Sequence, residues 1–243
     1  VPLDFQSRPH RERESPIGSG RKPGAPLFAR IADHRDPHSL AARLRARRLL
    51  FFSNLLARLP RPVTILDVGG TSDFWRNLEL AKDGVKVIIL NVKIEPSDDP
   101  RFESRVGDAR DLSAFANESV DVVYSNSVIE HVGTFEDQRK MAAEVRRVAK
   151  RYFIQTPNAW FPIEPHFLFP GFQFMPLNVR TFLLTRFRLG WLPRERDRAR
   201  AREIVASVRL LDARQMRSLF PEAAIHRERF LGLSKSLTAY SGW

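Results

Sequence analysis

Two short apolar runs frame the first half of this chain. Val63-Thr64-Ile65-Leu66 ends in Asp67, and Val85-Lys86-Val87-Ile88-Ile89-Leu90 ends in Asn91. Runs of this length, rich in β-branched residues, read as buried strands. Ahead of them, residues 39–59 carry a helical pattern. Leu40, Leu44, Leu55, Leu56 and Leu59 form the apolar stripe, Arg43, Arg45, Arg47 and Arg48 cover the other side, and Pro60 and Pro62 end it. Further helices are predicted from Trp75 to about Lys82, broken at Gly84, from Phe135 to Lys150 with a basic tail that suits the dipole, and through an apolar stretch ending at Phe187. Leu211 to Phe220 is a helix that Asp212 can cap and Pro221 stops. Ala224–Phe230 and Lys235–Tyr240 then alternate with a period of two, as strands do, and Leu231-Gly232-Leu233-Ser234 between them is short enough for a hairpin.

Residues 1–36 break this patterning. Pro2, Pro9, Pro16, Pro23 and Pro26 with Gly18, Gly20 and Gly24 leave little apolar periodicity. The reading is an extended arm packed on its own domain or on a second copy of the chain, followed by one domain over residues 37–243. A chain of 243 residues with 43% hydrophobic content can bury a full core. The absence of cysteine excludes a disulfide scaffold, a zinc-thiolate site and thiol chemistry. No apolar run approaches the ~20 residues that span a bilayer, no secretory signal is visible, and a cytoplasmic protein is expected. The net charge of +12 suggests nucleic acid, but 33 of the 40 basic residues are Arg, the imbalance of a GC-rich genome. The run Arg194–Glu203 alternates in sign as a solvated helix face does, and no recognition motif accompanies the charge. Nucleic acid is therefore not the expected partner.

The chemistry starts at Asp67. In an open α/β sheet a ligand sits just past the carboxyl end of a strand, and Gly69 and Gly70 allow main chain to approach it closely. Asp67 suits a ligand with an ammonium group. The stretch Asp67-Val68-Gly69-Gly70-Thr71-Ser72-Asp73 resembles motif I of class I S-adenosylmethionine-dependent methyltransferases, with Gly69 on a motif glycine and Thr71 and Asp73 where two others usually stand. Four further segments resemble the same family in order. Asn91 closes the second strand, where a ribose-binding residue is usual, with Glu95 as the alternative if the register shifts. Asp108-Ala109 resembles the third-strand ending that meets the adenine. Residues 119–132, with Asn126, Glu130 and His131, resemble the fourth strand and the helix after it, and residues 151–158 resemble the fifth strand. Together they resemble the type 11 branch. The resemblance implies a Rossmann-like α/β fold, a seven-stranded, mostly parallel sheet with an antiparallel terminal strand. It implies S-adenosylmethionine as cofactor, held by Asp67, Gly69, Gly70, Thr71, Asn91, Asp108, Ala109 and Asn126.

Residues 159–192 depart from a minimal core of that family. Trp160, Phe161, Phe167, Phe169, Phe172 and Phe174 are interleaved with Pro162, Pro165, Pro170 and Pro176. This is either a second hydrophobic cluster or dimer contact, or a stiff lid whose aromatic faces line an acceptor pocket. On the lid reading Trp160, Phe161, Glu164 and Phe167 bind the acceptor. A hydroxyl acceptor needs a base; His131, beside Glu130, and His166 are the candidates, with a carboxylate or a metal-bound hydroxyl as alternatives. Glu130, His131, Glu164 and His166 could also hold a Mg²⁺-like ion. Trp160–Met175 and Phe230–Ser236 resemble actinobacterial members that methylate sugars, including mannosides, so the expected activity is O-methylation of a small saccharide. The alternatives are an RNA methyltransferase and a catalytically silent cofactor-binding protein.

Overall fold

The computed structural model describes residues 39–76, 84–94 and 97–243. The arm, the expected helix beyond Arg76 and the alternative ribose ligand Glu95 lie outside the described residues. Helix α1 (Leu40–Leu56) opens on Ser39, whose hydroxyl accepts the Ala42 N–H at 3.0 Å. It stops short of Leu59, and its buried stripe gains Phe52 beside Leu44, Leu55 and Leu56. There follow β1 (Val63–Val68), α2 (Ser72–Arg76), β2 (Val85–Asn91), β3 (Phe102–Val106), β4 (Val122–Asn126), a 3₁₀ turn at Ile129–His131, α3 (Phe135–Val148) and β5 (Tyr152–Pro157). The insertion supplies β6 (Ile163–Glu164), β7 (Phe169–Pro170), a 3₁₀ turn at Phe172–Phe174, α4 (Leu177–Arg186) and α5 (Arg198–Ala206). Helix α6 (Ala213–Leu219), β8 (Ala224–Phe230) and β9 (Leu233–Ser241) close the fold.

Seven strands form one sheet in the order β3-β2-β1-β4-β5-β9-β8. The first five are parallel, and β9 runs antiparallel to both β5 and β8. Alternation along each strand feeds two cores. Ile65, Val87, Ile89, Val122, Tyr124 and Phe153 pack against α1 and Trp75 on one face. Leu66, Ile88, Leu90, Val123 and Ile154 pack against α3 and α6 on the other. Covering on both faces is why β1 and β2 read as continuous apolar runs. The helices on the second face are set by reciprocal caps, Thr134 with Asp137 and Asp212 with Gln215. The insertion carries a separate small core of Phe167, Phe172, Leu184, Leu189, Ala201 and Val205. In α5, Ala201 and Val205 face this core, while Arg198, Arg200 and Arg202 remain exposed, as the alternating charges predict.

The terminal hairpin is tighter than its sequence suggests. Strand β9 begins at Leu233 instead of Lys235, so the turn is only Leu231-Gly232, with φ of +48° and +81°. Two consecutive left-handed residues are the mark of a type I′ turn, which favours Asn-Gly. Leu231 is 84% exposed and has no packing reason to be leucine. Leu231→Asn should therefore raise unfolding stability by about 1 kcal/mol, the scale of the left-handed penalty for a residue with a Cβ. A urea unfolding midpoint that does not rise would contradict the turn assignment.

Candidate active site

The strand order reverses between β1 and β4, and the candidate residues gather at the carboxyl end of that crevice. On the β1 side the Asp67 carboxylate is buried and accepts the Trp75 indole N–H at 2.6 Å. The backbone of Gly70 lies directly over it: a Cβ there would sit 1.7 Å from Asp67 Oδ2. Gly69, at φ +79°, packs its missing side chain against Val128 instead. The loop is pinned from three directions. Gly69 N–H donates to the Leu90 carbonyl at 2.8 Å, Ser125 Oγ donates to the Val68 carbonyl at 3.1 Å, and Asn91 Nδ2 reaches the Gly70 carbonyl at 3.4 Å. Thr71 follows in the same loop, and the half-buried Asn126 ends β4. Asp108 lies past the end of β3, where Arg110 Nε bonds both of its oxygens at 2.9 and 3.0 Å. That pair holds the Asp108 carboxyl below its usual range, while Ala109 packs on the core.

On the β4–β5 side a second group is built. Ser127, in the left-handed region at φ +57°, turns the chain into the 3₁₀ segment that presents Glu130 and His131. Glu130 is fully buried. Thr156 Oγ1, from the end of β5, donates to Glu130 Oε2 at 3.0 Å, and Glu130 Oε1 has no hydrogen-bond partner. Burial pushes the Glu130 carboxyl up to about 7. Burial, with the neighbouring His166, drives the His131 imidazole down to about 3, so this ring is neutral at physiological pH. Gln138, itself buried, fastens the segment by donating to the Ile129 and Arg209 carbonyls, both at 2.9 Å.

The insertion folds over this group. Its two-residue strands β6 and β7 pair, and the turn between them is organised by Glu164. That buried carboxylate accepts the N–H groups of His166 and Phe167, both at 2.7 Å, and its other oxygen lies 2.7 Å from His166 Nδ1. Burial opposes a charge on His166, but Glu164 and then Glu130 outweigh it and hold the imidazole above its ordinary value. The rings of His131 and His166 meet edge-on with centroids 4.8 Å apart. Beside Glu164 opens a cavity of about 310 Å³ lined by Trp160, Phe172, Phe174, Arg180, Arg209 and Asp212.

The aromatics of the insertion thus divide. Phe167 and Phe172 stack at 4.2 Å within the insertion's own core while also lining the cavity. Trp160 and Phe174 stack more loosely at the cavity and are 68% and 54% exposed. Phe161 turns towards Phe230 and is not part of the cavity wall. Three residues of this region were not singled out by the sequence. Thr156 has a positional signal, since it ends β5. Arg180 and Arg209 have none, because their placement depends on how α4 and the segment between α5 and α6 dock.

Residues 70–152 match a protein family described as a methyltransferase domain. Two uncharacterised proteins of Mycobacterium tuberculosis, MT1557 and Rv1509, are each 30% identical over 178 residues, covering 63% of this chain. The chain spans 59% of the length of these relatives. Among solved structures, a SAM-dependent methyltransferase from Methanosarcina mazei superposes with a TM-score of 0.47 at 14% identity, covering 76% of this chain and 93% of that one. One from Aquifex aeolicus gives 0.45 at 15% identity, covering 88% and 96%. Among the described residues no helix is long and apolar enough to cross a membrane.

The Asp67 environment has a measurable consequence. Burial raises this carboxyl to about 7, with the Trp75 hydrogen bond pulling the other way. An unfolded Asp titrates near ~3.9. The folded state therefore keeps a proton that the unfolded chain has lost. This contribution to stability is complete below about pH 4 and is lost as pH rises through about 7. The Asp67 contribution to the melting temperature of the ligand-free protein should fall between about pH 4 and pH 7, against a rise over the same range from His131, which is kept neutral in the fold. Asp67→Asn, which keeps an acceptor for Trp75, should remove that contribution, while the one from Glu130 remains. An unchanged slope in Asp67→Asn would show that the carboxyl titrates normally.

Proposed function

We propose that this chain, whose residues 70–152 match a methyltransferase-domain family, moves a methyl group from S-adenosylmethionine to a hydroxyl of a small acceptor, a saccharide of the mannoside kind. One observation carries the reading. The glycine-opened loop after β1 and the Glu130–His131 turn after β4 follow neighbouring strands, His166 of the insertion closes on that turn braced by Glu164, and an aromatic-walled cavity lies beside Glu164. Cofactor and acceptor would then meet across the crevice.

Each group has a role in this scheme. Asp67 and Gly69–Thr71 receive the methionine end of the cofactor, Asn91 the ribose hydroxyls, Asp108 and Ala109 the adenine, and Asn126 lies between cofactor and acceptor. Methyl transfer from a sulfonium is an in-line displacement, so the main task is to hold acceptor oxygen, methyl carbon and sulfur collinear. The acceptor oxygen must also lose its proton. That task falls to the group after β4. His131 is a poor base because its burial disfavours the imidazolium. His166, braced by Glu164, is the better placed of the two. The exposed faces of Trp160 and Phe174 suit the apolar face of a sugar ring, and Arg180, Arg209 and Asp212 suit its hydroxyls.

The test begins with calorimetric titration of S-adenosylmethionine, where absence of binding would leave a silent fold. Transfer of radiolabel from the cofactor into mannosides, with RNA as the competing acceptor, then tests the acceptor class. Labelled RNA and unlabelled saccharide would overturn the sugar reading. His166→Ala should lower turnover by roughly 10²-fold or more with cofactor affinity unchanged. Trp160→Ala should act mainly on the acceptor KM. Asn91→Ala should weaken cofactor binding by about 1–2 kcal/mol, one or two lost polar contacts.

A further inference from the structure

We propose that Glu130, His131 and His166 form a binding site for one divalent transition-metal ion, with Glu164 orienting His166. Each of the three residues offers a ligating atom, and these atoms lie within 4.8 Å of one another. Glu130 Oε1 is the observation that asks for an occupant. It is a carboxylate oxygen in a fully buried side chain, it has no hydrogen-bond partner, and water does not reach it. A buried polar atom left in that state destabilises the fold. A cation held by Glu130 and the two imidazoles removes that cost.

The surroundings have the form of a metal site's outer shell. Ligating histidines usually pass their other ring nitrogen to a carboxylate or a backbone carbonyl, which fixes the ring. Here Glu164 Oε1 engages His166 Nδ1 at 2.7 Å, which directs Nε2 away from Glu164. The His131 ring meets the backbone of Ser207 on one side and the His166 ring on the other. Thr156 fixes the second oxygen of Glu130. Bonds of about 2.0–2.2 Å bring the ligands of a tetrahedral ion to about 3.4 Å from each other. The widest gap here must therefore close by about 1.4 Å, within reach of small rotations of two imidazoles.

The ligand set also selects the ion. Two imidazole nitrogens and one carboxylate oxygen suit Zn²⁺, Fe²⁺ or Co²⁺, whereas Mg²⁺ prefers oxygen ligands and water. Three protein ligands leave a position open for an acceptor hydroxyl. Ion binding stands independently of the proposed methyl transfer; only the role given to the ion in activating the acceptor rests on that reading. With an ion in place His166 would be a ligand, and coordination would make the acceptor hydroxyl acidic enough to lose its proton to solvent water.

Cobalt titration of the chelator-stripped full chain tests the site. One Co²⁺ per chain should bind with visible d–d absorption of a four- or five-coordinate ion. Equimolar Zn²⁺ should displace it, and a roughly hundredfold excess of Mg²⁺ should not. Glu130→Gln and His166→Ala should each weaken Co²⁺ by at least about 10-fold, and Glu164→Gln, which removes only the orienting contact, by roughly 10–100-fold. His226→Ala, on β8 against Phe51, should leave the titration unchanged and serves as the control for adventitious histidine binding. A spectrum of octahedral aqueous Co²⁺ only, or affinity unchanged in both Glu130→Gln and His166→Ala, would overturn the proposal. Circular dichroism of each variant separates a lost site from a lost fold. S-adenosylmethionine calorimetry on the same samples reports on methyl-donor binding independently of the metal result.

Discussion

Three carboxylates, Asp67 and Glu130 at the carboxyl edge of the main sheet and Glu164 in the insertion beside it, are each at most 2% exposed. Burying a carboxylate is among the costlier things a fold can do, so the way each is accommodated constrains everything around it. Asp67 is held by the Trp75 indole and by the absence of a side chain at Gly70. Glu164 is saturated by two backbone N–H groups and an imidazole. Glu130 is only half satisfied. A protein selected for stability alone would place apolar residues at these positions. The sheet's two well-packed cores supply the stability that makes three such positions tolerable at and beside its carboxyl edge.

The edge itself is a consequence of the topology. Helices cover both faces of the parallel strands, so ligands cannot reach the sheet from above or below. The strand order reverses between β1 and β4, and the connections leaving those two strands diverge. Gly69 marks how close the two sides come. Its missing Cβ leaves room for Val128 of the post-β4 turn, with a built Cβ falling 2.5 Å from Val128 Cγ2. The loop after β1 and the segment that carries Glu130 and His131 are therefore packed as one unit, although 61 residues separate Gly69 from Glu130 in sequence.

Local contacts are legible in the sequence and distant ones are not. The strands Val63–Val68 and Val85–Asn91, and the cap Asp212, are set by neighbours within a few residues and are visible in the pattern. The candidate residues after β1 and β4 are visible because they close strands. The turn at Leu231-Gly232 is hidden because leucine is a poor left-handed residue, and pattern alone assigns a longer loop. The contacts that give the site its character are hidden for a different reason. Thr156 to Glu130 spans 26 residues and Arg209 to Gln138 spans 71. Only the docked elements bring those partners together. The split of the insertion's aromatics into a packed pair and an exposed pair is likewise set by the docking of α4 and α5, since as residue types all of them are equally apolar.

The separate core of the insertion bears on how such a site can change. Its buried residues run from Phe167 to Val205 and pack on one another, apart from both cores of the sheet. Near the sheet it is anchored by backbone bonds from Asn158 to Lys235 and from Ala159 to Leu211, both at 3.0 Å, and it meets the post-β4 segment through the His131–His166 contact. Cavity walls such as Trp160, Phe174 and Arg180 can therefore be replaced without disturbing Asp67, Gly70 or Asn91, which are set by the sheet. His166 does not share that freedom. Its position is fixed by Glu164 within the insertion, yet the groups it faces, Glu130 and His131, belong to the sheet edge. The Glu130–His131–His166 group is thus placed at a junction that neither body determines alone, so changes in how the insertion docks reach the geometry of that group before they reach the loop after β1.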